Sequence, residues 1–251
     1  MTWQIVAAST PGTSHIRTNL PCQDAHGYRI VDNLVIAAVA DGLGTAAKAD
    51  DGAKLAVETT LETLATSLGS VVPTDADGWE MVLRHAFLQS HERLRDTAEE
   101  NAVPLRDYGT TLIAAVITET WLAVGHIGDG ALVAIFDGVT PETVSGPQRG
   151  EYANEVTPLT SPDALEVARF TVHRRAVQAL AMLTDGLQNL CVNIATGRPY
   201  EPFFVPFFNG VVKGMNTAEA SRELGTFLGS PAICGRTDDD KTLVVIGRLL
   251  A

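Results

Sequence analysis

The sequence predicts an α+β fold with a core of two mostly antiparallel β-sheets and helices packed outside. Three observations carry this expectation. Apolar runs of strand length recur along the chain, and most are joined by short turns rather than by the long crossovers that parallel pairing needs. Two long amphipathic stretches sit together near the N-terminal third, separate from the strand-rich middle. The resulting order of strands, two long helices, many strands, helices and one strand is that of a segregated fold, not of an alternating doubly wound one.

Trp3–Ser9 reads as the first strand. Leu34–Ala40 is apolar without alternation, as expected for a strand buried on both faces. Ala46–Leu68 places Ala53, Ala56, Val57, Leu61 and Leu64 on one helical face. After a loop at Gly69–Asp77, Gly78–Asn101 reads as a second amphipathic helix, with Met81, Val82, His85, Ala86, Leu88 and Leu94 favouring one side. Thr110–Thr118, Thr120–Ile127 and Ala131–Phe136 read as a meander with tight turns. Val167–His173 and Val177–Leu183 read as an antiparallel pair turned at Arg174-Arg175-Ala176. Phe203–Lys213 and Thr217–Leu228 read as helices, the second with Asn216 or Thr217 as N-cap, and Thr242–Leu249 as the last strand. The aromatic stretch Phe203–Phe208 is either core or a docking surface. No internal repeat or low-complexity tract divides the chain, so 1–251 is expected to be a single domain.

With 18 basic and 30 acidic residues the net charge is −12, which argues against nucleic acid and anionic membrane as partners. It leaves phosphorylated substrates open, because a metal site supplies positive charge locally. Cys22, Cys191 and Cys234 are odd in number and form no CxxC, so reduced cytosolic thiols are expected and zinc is not. The N-terminus MTWQIVAASTPG lacks the pattern of a signal peptide, and no apolar run approaches the roughly 20 residues of a membrane helix. The expectation is a cytoplasmic protein.

Function is written in aspartates. Asp24, Asp41, Asp129, Asp185 and Asp239 lie at the ends of apolar runs in distant parts of the chain. Carboxylates at the ends of buried strands are costly to desolvate singly, but converging they make an oxygen-rich pocket for hard divalent cations. The bland alternative is turns: the chain has six Asp-Gly pairs, and Asp-Gly is first a turn signal. Asp137-Gly138 fits that reading, between Ala131–Phe136 and a short following strand, while Asp77-Gly78 sits in a polar loop before a helix and Asp51-Gly52 within the start of the first helix. Asp41-Gly42 and Asp185-Gly186 differ, since each ends a long apolar strand and opens toward a helix, where sites are commonly placed. Gly42 would let its carbonyl approach a metal closely. Asp129, alone, reads as a hairpin turn, and Asp24 alone says nothing. Asp238-Asp239-Asp240 is either a solvated turn or a crowd of like charges that a cation would relieve. His126 reads as a sheet or core histidine, His15 as a loop histidine or ligand contact, and Gly109 in Tyr108-Gly109-Thr110-Thr111 as a close backbone approach. There is no P-loop, GxGxxG, HExxH or GxSxG.

Taken in order, SHIRTNLPCQDAHG, VADGLG with GAKLAV, YGTT, IGDG, LTDG and TDDDKTLVVI resemble the motifs of the metal-dependent type-2C serine/threonine protein phosphatases, the PPM family, and most of all its bacterial stand-alone members with a PCQDA-like segment. The resemblance covers most of the chain. It implies an αββα sandwich with the metal site at one end of the paired sheets. It implies that Asp41 bridges two metals, that Gly42 offers its carbonyl to one, and that Asp185 with Asp239, or Asp240 in its place, completes the first. Asp24 would lie near the second metal, partly through water, and Asp129 with Asp185 would hold a third, weaker ion. Mn²⁺ or Mg²⁺ is implied, two ions about 3.5–4 Å apart activating a water for in-line attack on phosphoserine or phosphothreonine, with no covalent intermediate. The partners implied are phosphoproteins, with the enzyme opposing a serine/threonine kinase.

Three positions depart from the family pattern. Gln23 stands for a glutamate, Asn19 for the phosphate-clamping arginine, and Leu43 for the histidine of animal members. Arg17 or His15 is expected to reach the phosphate in place of Asn19. Gln23 and Asn19 also motivate the alternative, a catalytically weak domain that binds phosphoproteins as a regulator.

Overall fold

In the computed structural model, which describes residues 2–136, 140–148, 156–193 and 196–249, the first strand is Trp3–Thr10 (β1). Trp3, Ile5 and Ala7 enter one core and Val6 and Ala8 another, so the run Ile5–Ala8 is apolar without alternation. A short helix, Thr13–Thr18 (α1), leads to the antiparallel pair Asp24–Val31 (β2) and Leu34–Asp41 (β3), which sets Asp24 opposite Asp41. Ala49–Ser70 (α2) and Ala76–Glu100 (α3) follow; Asp75 caps α3 by accepting the Gly78 N–H at 2.8 Å. A 3₁₀ turn at Leu105–Tyr108 precedes Leu112–Ile117 (β4), Leu122–Ile127 (β5), Ala131–Ile135 (β6) and Glu142–Ser145 (β7). Then come Ala164–Val167 (α4), Arg169–His173 (β8), Ala179–Leu183 (β9), Asp185–Cys191 (α5) and the small ribbon Val192–Asn193 (β10) and Arg198–Pro199 (β11). Glu201–Lys213 (α6), Thr217–Leu228 (α7, capped by Asn216), Pro231–Cys234 (α8) and Lys241–Arg248 (β12) complete the chain.

Two five-stranded antiparallel sheets stack face to face, ordered β1-β12-β9-β6-β7 and β2-β3-β4-β5-β8. The layer between them is made by alternate residues of both, among them Val35, Ala37 and Val39 against Leu180, Met182, Val244 and Ile246. The opposite faces carry α2 and α3 on one side and α5, α6 and α7 on the other. The αββα sandwich is therefore the observed architecture. No helix among the described residues is long and apolar enough to cross a membrane.

The expected strands are present, with β2, β10 and β11 added to them, but the pairing departs from expectation. β5 and β6 do not continue a meander: β5 pairs with β4 and β8, while β6 pairs with β9 and β7 in the other sheet. Likewise β8 and β9 are not partners, since β9 pairs with β12 and β6. Strands buried on both faces carry no alternation that marks which sheet they join. The polar edge strand β2 and the helix α1, which buries no residue, lay below any periodic signal. On α3 the buried stripe is Trp79, Leu83, Ala86, Phe87, Ser90, Leu94 and Ala98, and Met81 is exposed, so the expected face is rotated. Ser90 belongs to that stripe because its hydroxyl meets Thr60 Oγ1 of α2 at 2.8 Å. Phe204 and Phe208 of the aromatic stretch are core, with Phe203 and Phe207 packed partly exposed at its margin. Asp137-Gly138 lies outside the described residues.

Candidate metal centre

One end of the sandwich gathers the strand-end aspartates. Asp41 closes β3, Asp185 opens α5 directly after β9, and Asp129 sits in the link by which the chain passes from one sheet to the other. Each offers a carboxylate oxygen, and these oxygens all lie within 4.8 Å of one another. A cavity of about 200 Å³ opens over them, lined also by His15, Gln23 and Asp239. So the Gly-Asp-Gly at 128–130 is a crossing between sheets, not the hairpin turn it resembles locally.

Neighbouring segments fix Asp41 through its backbone. Thr111 N–H and the Thr110 hydroxyl both donate to the Asp41 carbonyl, at 2.8 and 3.0 Å, and Thr111 Oγ1 accepts the Asp41 N–H at 2.9 Å. Gly42 N–H donates to the Gln23 carbonyl at 3.0 Å and Leu43 N–H to the Gly109 carbonyl at 2.9 Å. The loop after β3 is thus held on one side by the PCQD segment and on the other by YGTT. Asp185 is placed by close packing: a Cβ on Gly186 would stand 1.8 Å from the Asp240 carbonyl oxygen, so only glycine fits after it.

The electrostatics are those of an acidic cluster with no Lys or Arg among the described residues that line its cavity. Burial, and then the charges of Asp24, Asp185, Asp239 and Asp129, hold the Asp41 carboxyl well above the usual range. Burial raises Asp185 to about 7, with Asp129 and Asp239 adding to it, and raises Asp129 as well. Asp24, fully buried beneath, is pushed to about 7 by desolvation, although the Thr184 and Thr242 hydroxyls oppose the shift. Asp24 Oδ1 and Gln23 Oε1 are buried without a hydrogen-bond partner among the described residues. His15 is the single basic side chain among the cavity-lining residues described. Hard oxygen donors, several charged and some unpartnered, fit a divalent cation of the Mg²⁺ or Mn²⁺ kind.

The neighbouring acids separate by environment. Asp240 is buried and its carboxylate accepts the Gly12 N–H at 2.6 Å and the Gln23 N–H at 2.5 Å, while His15 Nδ1 lies 2.9 Å from each oxygen. Asp239 is exposed at the cavity, and Lys241, fully buried, donates from Nζ to the Asp239 carbonyl at 2.8 Å. Arg17 faces Asp238 at 3.7 Å, both side chains exposed, and neither lines the cavity. Asn19 terminates α1 in the left-handed conformation with φ 56° and is likewise outside the lining.

Thr184 went unmarked in the sequence, although it precedes Asp185 in LTDG. Its hydroxyl donates to Asp24 Oδ2 at 2.7 Å and accepts the Thr242 N–H at 3.1 Å, joining the two sheets beneath the cluster. Thr184→Val keeps the shape but strips a buried carboxylate of a donor and a buried amide of its acceptor. Urea denaturation in EDTA is expected to show a loss of about 1–3 kcal/mol, with Thr184→Ser close to wild type; equal stability of the valine variant would show that the bond carries no weight.

The family model described as "Protein phosphatase 2C" matches residues 11–229. The chain is 36% identical over 259 residues to "Serine/threonine-protein phosphatase 3" of Escherichia coli K12, covering 98% of each. Among solved structures, "Crystal structure of bacterial serine phosphatase" superposes with a TM-score of 0.68 over 100% of both chains at 15% identity. The Staphylococcus aureus serine/threonine phosphatase Stp1 does so at 0.66, covering 99% of this chain and 96% of that one at 16% identity. At such identities these two structures speak for the fold.

Proposed function

The chain belongs to the protein phosphatase 2C family and is a metal-dependent protein serine/threonine phosphatase; on that premise we propose that its reaction runs on Mn²⁺ or Mg²⁺ held at the Asp41–Asp129–Asp185 cluster. The observation that supports this placement is the convergence, within 4.8 Å, of three carboxylate oxygens from distant segments, beside a cavity poor in basic groups.

Asp41, Asp185 and Asp239 are the residues assigned to the principal pair of ions, with the Gly42 carbonyl beside them. Asp129 with Asp185 is assigned to a third ion, and Asp24 acts beneath through its unpartnered Oδ1. Asp239 is favoured over Asp240, whose oxygens are already engaged by two backbone N–H groups and by His15. When bound, the divalent ions supply an acidified water nucleophile and positive charge against the phosphoryl oxygens. The chain's own part is to hold the carboxylates in place through the Thr110–Thr111 clamp and to receive the phosphate at the cavity mouth. His15 suits that second task better than Arg17 or Asn19, since it lines the cavity and Asp240 orients its ring. We assign no side chain as nucleophile and read the hydrolysis as direct, without a covalent intermediate. We further read the enzyme as a cytoplasmic counterpart to a serine/threonine kinase; its three cysteines are free.

The test is phosphate release from a phosphothreonine peptide and its phosphotyrosine equivalent, with Mn²⁺ and with EDTA. Release from the phosphothreonine peptide alone, and only with Mn²⁺, is expected. Turnover that survives EDTA would refute the metal mechanism, and equal turnover of phosphotyrosine would refute the substrate class.

A further inference from the structure

The link carrying Asp129 crosses between the two sheets. Only Gly128, Asp129 and Gly130 join β5 to β6, and because those strands lie in different sheets no hairpin ladder braces the link. Gly128 adopts φ +118°, and a Cβ there would stand 2.5 Å from Thr111 Cβ, so the backbone is committed to a glycine conformation. Without support, repulsion from Asp41 and Asp185 would swing the Asp129 carboxylate outward.

Two glutamines supply the support. Gln148 N–H donates to the Gly128 carbonyl at 2.9 Å, and Gln148 Oε1 accepts the Gly128 N–H at 2.9 Å. Gln148 Nε2 donates to the carbonyls of His126 at 3.2 Å and Val167 at 3.1 Å. One residue therefore replaces the missing strand partner and ties the link to the end of α4, just before β8. His126 is itself anchored in the core, its Nδ1 2.7 Å from Ser145 Oγ. On the other side, Gln188 of α5 donates from Nε2 to the Asp129 carbonyl. Gln188 shares its helix with Asp185, so this bond also sets the two carboxylates relative to each other.

We propose that Gln148 and Gln188 are positioning residues that hold Asp129 in the cluster and so maintain the ion shared by Asp129 and Asp185; this rests on the metal reading above. The expected consequence is selective, a loss at one ion with the others retained. Partners standing behind a ligand typically contribute about 10–100-fold in metal affinity.

Mn²⁺ titration of the full chain, followed by calorimetry and by the electron paramagnetic resonance of free Mn²⁺, tests it. Gln148→Met and Gln188→Met are made in the wild-type chain and in an Asp129→Asn background, with melting in EDTA as a check on folding. Each is expected to weaken the same binding step that Asp129→Asn removes, by about 10–100-fold, and to add nothing in the Asp129→Asn background. A purely structural role would lower melting and add to Asp129→Asn. Unchanged Mn²⁺ binding in whichever glutamine variant folds, or additive losses in the double variants, overturns the proposal. A wild-type chain that binds no Mn²⁺ overturns the metal reading and the proposal with it, whereas loss of a step in Asp129→Asn but not in the glutamine variants overturns the proposal alone.

Discussion

Asp41→Asn is expected to lower Mn²⁺-dependent kcat/KM on a phosphothreonine peptide by about 10³-fold while leaving the metal-free fold at least as stable as wild type. Asp41 stands where the acidic neighbours converge, and its carboxyl feels four other aspartates. A shared ligand removed there loses several kcal/mol of charge stabilisation, and roughly 4 kcal/mol corresponds to about three powers of ten. The fold should survive because Asp41 is fixed through its backbone, by Thr110 and Thr111, which the substitution does not touch. An asparagine also removes one of several charges held together against their repulsion. Activity and stability are therefore expected to move apart, which a collapsed protein could not imitate. Asp238→Asn serves as the control, since the Asp238 side chain is exposed and faces Arg17 outside the cavity. Near-wild-type activity in Asp41→Asn, with the metal requirement intact, would remove this residue from the mechanism.

How much of this was legible in the sequence depended on what kind of order a residue belongs to. β3, β4, β9 and the Leu243–Ile246 centre of β12 announce themselves as apolar runs because each is covered on both faces. The same continuity hides their partners, so the sheet that β6 or β9 joins could not be read. Asp41 and Asp185 stood out because a strand that ends in Asp-Gly and leads to a helix turns no hairpin. Asp129 did not, since Gly-Asp-Gly between two strands has the local chemistry of a turn, and only the change of sheet reveals otherwise. Asp239 and Asp240 are indistinguishable as letters, yet one is exposed at the cavity and the other is buried under three donors. Gln148 and Gln188 lie in no motif, and Thr184 sits in LTDG with nothing local to mark its hydroxyl. Their roles arise from contacts across 160, 20 and 59 positions of chain, which no local pattern encodes.

Removing the metal is expected to invert the usual pH preference of stability, making the chelated protein weaker at pH 8 than at pH 6.5. Asp24 and Asp185 titrate at about 7 in the folded chain, and Asp41 and Asp129 are also raised, all chiefly by burial. In the unfolded chain these groups titrate near 3.9. Between those values the folded state binds more protons than the unfolded one, so unfolding free energy falls as pH rises and the remaining loss is completed as pH passes through about 7. A group at 7 loses on the order of 1 kcal/mol between pH 6.5 and 8, and the cluster together should lose a few. His126, buried and depressed to about 3, works in the opposite sense, and so does His26, which burial lowers. Their contribution is complete above about pH 6.5 and is common to chelated and Mn²⁺-loaded protein. The difference between urea denaturation curves taken with EDTA and with saturating Mn²⁺ therefore isolates the carboxylates, and it should widen steadily from pH 6.5 to 8. Asp41→Asn in EDTA should flatten that slope by removing a charge from its centre. Parallel curves with and without Mn²⁺ across this window would mean that the aspartates do not converge on a cation, and the mechanism built on them would have to be abandoned.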